Sequence, residues 1–252
     1  MSTLLDFDIR RQPDLTTCGP TCLHALYRYY GDPITLEEVI AQVRRWRPGG
    51  TLAVYLAIHA LRRGYRTTIL PFDLSLFDPT WAGLAPAVIA AKLKAQLPYK
   101  KELPGFEEAT LAFLEYLALG GRLQFNVIRP ALIRGFLKRG IPILTGLSAT
   151  YLYNSSRELD AGQQVIYDDL RGESCGHFVV LSGYDKKTRS VRVADPLVPN
   201  PLSDDRFYHV DLYRLVCAIM LGILTYDGNL LIVTRKKTLT RMSGHQKRNV
   251  GL

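Results

Sequence analysis

Long apolar runs are what this chain lacks most clearly. The longest, over residues 215–224, is half the ~20 residues that a membrane-spanning helix requires, so no membrane association is expected. No Gly-Lys-Ser/Thr sequence occurs, which excludes a Walker-type phosphate loop. Residues 1–11 mix charged and apolar side chains, Asp6 and Asp8 among them, where a secretion signal would pair a basic start with an apolar stretch. Cysteine is scarce: the four at positions 18, 22, 175 and 217 have no framework spacing, which suits a reducing, cytoplasmic compartment. Acid is in deficit, with 23 Asp and Glu against 32 Lys and Arg, for a net charge of +9. Such an excess raises the question of nucleic acid. Part of it, however, sits in Arg235, Lys236, Lys237, Arg241, Lys247 and Arg248, where apolar patterning is sparse. That segment reads as a basic, solvated tail over 236–252, and no nucleic-acid partner is expected.

What is present points to thiol chemistry. Gln12-Pro-Asp-Leu-Thr-Thr-Cys18-Gly-Pro-Thr-Cys22 places a cysteine where a helix opens, with a glutamine at a short distance before it. A helix N-terminus carries partial positive charge and free N–H groups, so it favours the thiolate that attacks carbonyls. A nearby glutamine amide can donate to the resulting oxyanion. A base is suggested far along the chain, where Gly176-His177 leads into Phe178-Val-Val-Leu181, a short β-branched run that reads as a buried strand. Polar residues 186–190 make a turn, and Val191-Arg-Val-Ala194 returns as a second strand ending at Asp195-Pro196. This hairpin brings Asp195 beside His177, where a carboxylate can fix the imidazole tautomer.

This order and spacing resemble the bacteriocin-processing, double-glycine peptidases, a family of papain-like cysteine peptidases. The likeness rests on Gln12 to Cys18 with Cys-Gly-Pro, on Gly176-His177 before a Val-rich strand, and on Val193-Ala-Asp195-Pro196. It implies an α+β papain-like fold, an N-terminal helical half packed on a C-terminal antiparallel sheet. It also implies Cys18 as nucleophile, His177 as general base and acid, Asp195 as its orienting partner and Gln12 as oxyanion donor. The reaction implied is cleavage or transfer at an amide bond of a peptide or peptide-like substrate, without metal or cofactor. The family's best-known members are joined to membrane exporters; with no exporter features here, a stand-alone form is expected. An acyl transferase with an amine acceptor, or a non-catalytic peptide-binding module, are the alternatives on the same fold.

The remaining pattern fits one domain over residues 1–235. Helices are expected at 18–30 and, from a Thr35/Glu38 capping box, through Val43; a third starts at Gly49-Gly50-Thr51 and stops at Gly64. A strand follows at 65–70. Between about 72 and 120 lies a helical elaboration, with helices near 86–97 and 105–119, that either covers the cleft or packs on the helical side. Strands at 123–128 and 141–147 flank a helix at 131–139, and a late helix at 211–221 precedes a strand at 230–234.

Other readings compete for the same residues. Cys22, one turn inside the helix, is the rival nucleophile, but dipole activation fades there and packing is expected. Cys175 is either a site neighbour or loop. Asp185 is the second choice as orienting partner, although a strand-end turn explains it. His24 and His59 are expected at the surface or partly buried, while His209 and His245 have no evident partner. Cys18, Cys22, Cys175 and His177 are zinc-type ligands at an uncommon spacing. A serine nucleophile is disfavoured, because Gly146-Leu-Ser148-Ala-Thr150 lacks the second glycine of an elbow.

Overall fold

The structure, a computed structural model, describes residues 2–46, 49–161, 164–225 and 228–236. The tail over 237–252, with His245, lies outside them. A short strand β1 (Thr3–Leu4) precedes three helices, α1 (Cys18–Tyr29), α2 (Leu36–Gln42) and α3 (Ala53–Arg62). Strand β2 (Arg66–Pro71) leads to α4 (Pro86–Lys100), α5 (Phe106–Ala118), β3 (Arg122–Leu123) and α6 (Pro130–Lys138). Then come β4 (Ile143–Ser148), α7 (Ala149–Tyr153) and the pair β5 (Glu158–Ala161) and β6 (Gln164–Tyr167). The chain continues through β7 (Gly176–Asp185), β8 (Ser190–Ala194), β9 (Phe207–Asp211), α8 (Leu212–Leu221) and β10 (Asn229–Thr234).

Among the described residues, eight strands form one sheet in the order β3-β2-β10-β4-β7-β8-β9, with β1 also paired to β7. Every named pair is antiparallel except β2 with β3. This is the α+β layout expected, with β1, β2 and β3 adding N-terminal strands to the sheet. Strand β7 sits between β4 and β8 and is packed by α1, α6 and α7, which explains its unbroken apolar run Phe178–Leu181.

Local chemistry explains most boundaries. Thr35 and Glu38 form the full capping box: Thr35 Oγ1 accepts from the Glu38 N–H, and the Glu38 carboxylate accepts from the Thr35 N–H at 2.8 Å. Asp211 caps α8 through the N–H groups of Tyr213 and Arg214. Three expectations need correction. Helix α3 starts at Ala53 and not at Gly49, because Thr51 uses its hydroxyl to donate to the Arg44 carbonyl instead of capping. The strand expected over 123–128 is only Arg122–Leu123: it lies at the sheet edge beside β2, which itself ends at Pro71. His24 is buried, deeper than the surface or partly buried place expected, since α1 is enclosed along its first ten residues.

The elaboration near 72–120 packs on the helical side. Helix α5 lies against α3 and α4; Glu115 accepts from Arg44 and Arg62 at 3.0 and 2.7 Å, and Glu108 accepts from the Tyr55 hydroxyl at 2.6 Å. Edge-to-face contacts of Phe77 with Phe113 and Phe125 fill the space beneath.

Gly19 sets how closely α1 approaches the sheet. A Cβ there would lie 2.6 Å from Thr51 Cγ2 and 3.2 Å from Phe178 Cδ2. Thr51 cannot swing aside without breaking its 2.9 Å bond to Arg44. Gly19→Ala is therefore expected to cost about 1–3 kcal/mol through overpacking, outweighing the ~1 kcal/mol that alanine gains in helix propensity. Adding Thr51→Ser, which deletes Cγ2 and keeps the hydroxyl, is expected to restore most of the loss. Urea midpoints of the three variants check this, and an unchanged midpoint in Gly19→Ala would contradict it.

Candidate active site

Residues 12–17 form a self-bonded turn that delivers Cys18 to the start of α1. The Thr17 N–H and hydroxyl both donate to the Asp14 carbonyl, and the Gln12 Nε2 donates to the same oxygen at 2.8 Å. The Gln12 backbone N–H donates to the Pro196 carbonyl at 2.9 Å, tying this turn to the segment after β8. Cys18 is the first helical residue and is buried, 7% exposed. Helix α1 packs on β7, which carries His177 as its second residue.

Strand pairing fixes the imidazole. His177 lies opposite Leu147 of β4, and Val180 and Leu181 pair with Ala194 and Val193 of β8. Asp195 follows directly, its own N–H donating to the Arg206 carbonyl at 2.8 Å. His177 Nε2 lies 2.8 Å from Asp195 Oδ1, and the carboxylate has no exposed surface. Cys18 also acts on His177, in the direction that favours the charged ring. With Nε2 committed to Asp195, Nδ1 is the nitrogen left for the sulfur.

Asp195 has more partners than His177. Its Oδ2 accepts from the Tyr153 hydroxyl at 2.8 Å and the Tyr208 hydroxyl at 2.7 Å, and its Oδ1 also accepts from the Leu197 N–H at 2.9 Å. Burial alone would raise its pKa, but the His177 charge and these donors hold it below the ordinary carboxylate value. Burial likewise opposes charge on His177; the adjacent Asp195, with Cys18 adding to it, outweighs burial, and its pKa is pushed up to about 10. This direction favours the charged ring.

The structure brings Cys18, His177 and Asp195 together, and Gln12 into the same neighbourhood through Pro196. One Gln12 amide hydrogen is used by Asp14, and the second remains to donate. Among the described residues, its buried Oε1 has no hydrogen-bond partner. Cys22 is fully buried, its Sγ 3.2 Å from the Phe178 carbonyl, and its thiol is pushed well up by burial, with Cys18 and Asp195 adding to the effect. It is a packing residue. Cys175 is half-buried at the start of β7, with its N–H donating to Thr150 Oγ1 at 3.0 Å and its carbonyl accepting from Ala149 at 2.8 Å.

Asp185 ends β7 far from the imidazole and accepts from the Lys187 N–H at 2.7 Å, the turn role that its position suggested. His59 bonds Tyr27 and Gln42, and His209 is exposed on β9. No group of three or more His, Cys, Asp or Glu side chains among the described residues can hold a metal ion, so the zinc-type set is not assembled. No helix among them is long and apolar enough to cross a membrane.

Sequence reasoning missed the two phenols. A buried carboxylate needs several donors, which was the available signal. Tyr208 follows it at one remove, as an inward position of β9 beside β8. Nothing in the local pattern of α7 marks Tyr153.

Comparison with known proteins fits this geometry. Residues 131–210, the segment that carries His177 and Asp195, match the family model described as Peptidase_C39 like family. No protein of curated function matches the chain. Among solved structures, a putative C39-like peptidase from Bacillus anthracis is 14% identical with a TM-score of 0.46, over 94% of this chain and 98% of that one. The peptidase domain of Streptococcus ComA, a bifunctional ABC transporter involved in a quorum-sensing pathway, is 12% identical with a TM-score of 0.43, over 91% and 99%. Xylellain, a cysteine protease from Xylella fastidiosa, is 14% identical with a TM-score of 0.44, over 94% and 86%. The chain is similar to C39-like peptidases, and the family match supports a cysteine peptidase.

Proposed function

We propose that the protein cleaves an amide bond of a peptide or peptide-like substrate through a Cys18-His177-Asp195 triad and an acyl-enzyme intermediate. The observation that carries this reading is the 2.8 Å bond between His177 Nε2 and a fully buried Asp195, on an imidazole whose charge Cys18 also favours. Three groups from separate elements with those partners have no simpler structural use.

The steps follow from the charges. Asp195 holds His177 protonated, and an imidazolium beside a sulfur favours the thiolate. The Cys18 sulfur adds to the substrate carbonyl, and the oxygen takes the negative charge. The Cys18 backbone N–H and the free Gln12 amide hydrogen donate to that oxygen. The C–N bond then breaks as His177 passes its proton to the departing amine, leaving a thioester on Cys18. Water, losing its proton to His177, adds to the thioester; its collapse releases the acid and regenerates the pair.

Two outcomes are expected. First, iodoacetamide at pH 7 is expected to alkylate Cys18 faster than Cys22. Cys18→Ala and His177→Ala are expected to lose peptide-library turnover by on the order of 10³-fold or more, with unchanged far-UV circular dichroism. Full turnover in either variant would overturn the assignment. Second, a His177 pKa near 10 stands above the ordinary ~6.5, so the folded protein holds a proton that the unfolded chain releases. This stabilisation is complete below about pH 6.5 and is lost as pH rises through about 10. In a Cys18→Ala background, where no thiolate offsets the proton, urea unfolding between pH 6.5 and 8 is expected to show the protein with His177 losing on the order of 1 kcal/mol per pH unit relative to the one with His177→Gln. Parallel curves for the two proteins would mean a neutral His177.

A further inference from the structure

The chemistry above uses His177 and Asp195 but leaves two buried phenols without a role. Tyr153 and Tyr208 both place their hydroxyls on Oδ2 of Asp195, at 2.8 and 2.7 Å. A carboxylate only accepts, so both hydroxyls donate. Burial, with Asp195 beside them, pushes both phenols well above their ordinary pKa, and each keeps its proton. Oδ1 is left to His177 Nε2 and the Leu197 N–H, at 2.8 and 2.9 Å.

The two phenols reach the carboxylate from opposite sides of β7. Tyr153 ends α7, which follows β4, the strand that pairs with His177 on one side. Tyr208 lies on β9, reached through β8 on the other side. Rotation of the carboxylate about its Cβ–Cγ bond would break both bonds to Oδ2 at once. With no exposed surface, Asp195 depends on these donors to offset its burial. Titratable groups face it from each element packed on it: His177 on β7, Tyr153 on α7, Tyr208 on β9, and Cys22 with Cys18 on α1.

We propose that Tyr153 and Tyr208 are positioning residues for the thiol–imidazole pair: by occupying Oδ2 they keep Asp195 ionised and hold Oδ1 toward His177. The proposal rests on the thiol reading, since the pair they position is Cys18 with His177. A hydrogen bond to the charged form of an acid lowers its pKa, so removing a donor lets Asp195 take up a proton at higher pH. The imidazolium then loses its anchor, and Cys18 loses reactivity, at a pH where wild type retains it.

The test is the rate of Cys18 alkylation by iodoacetamide, followed by peptide mapping from pH 3 to 8, in wild type, Tyr153→Phe, Tyr208→Phe and the double variant. The acid limb is expected to move up by about one pH unit per hydroxyl removed, with the rate falling up to about tenfold in each single variant at the acid end of the range, near pH 3. A purely structural role would lower the urea midpoint and leave the limb in place. Folded single variants whose acid limb coincides with that of wild type would overturn the proposal. Should neither single variant fold, carboxyl ¹³C spectra of wild type decide: Asp195 ionised at pH 3 is the expected result, and a carboxyl titrating near the ordinary ~3.9 would overturn it. Failure of the thiol reading looks different, because wild-type Cys18 would then alkylate no faster than an ordinary cysteine.

Discussion

A carboxylate removed from water is the constraint on which the rest of this structure depends. An ionised Asp195 without exposed surface would be untenable alone; it persists because an imidazole, two phenols and a backbone amide converge on it. Each donor comes from a different stretch of chain. The sheet order that sets β7 between β4 and β8 is what lets these stretches meet. The same carboxylate favours charge on His177, so the packing of the core and the electrostatics of the site are one arrangement.

The sulfur side is built by a different device. Cys18 arrives on a helix whose second residue is glycine, and the missing side chain lets α1 approach Thr51 and Phe178. Gln12 is tied in turn to Pro196, one residue beyond Asp195. The nucleophile segment and the acid-bearing segment are therefore joined by a main-chain hydrogen bond as well as through His177. Helix α5 contributes by bracing α3 through Glu108 and Glu115, and α4 packs on α5.

Much of this was legible in the residues. The hairpin register that brings Asp195 to His177 follows from two β-branched runs and a polar turn, and the capping box at Thr35 follows from spacing alone. The α+β class and the likeness to C39-like peptidases were readable from three short motifs. What was not legible depended on distant partners. The segment beyond Leu123 has the composition of a strand but follows β2 only as far as Gln124, whose N–H donates to the Ile69 carbonyl at 3.0 Å. His24 sits on a helix that looks amphipathic and is enclosed along most of its length. Nothing near Tyr153 in the sequence marks it, and only the tertiary fold shows its hydroxyl on Asp195.

The central claim is that Asp195 keeps His177 charged opposite Cys18, and ¹⁵N spectroscopy of the imidazole tests it most directly. In protein labelled at histidine and assigned by comparison with His177→Gln, both ring nitrogens of His177 are expected to carry protons at pH 7.5. The ring is expected to titrate only toward pH 10. A neutral ring at pH 7.5, titrating near the ordinary ~6.5, would contradict the account.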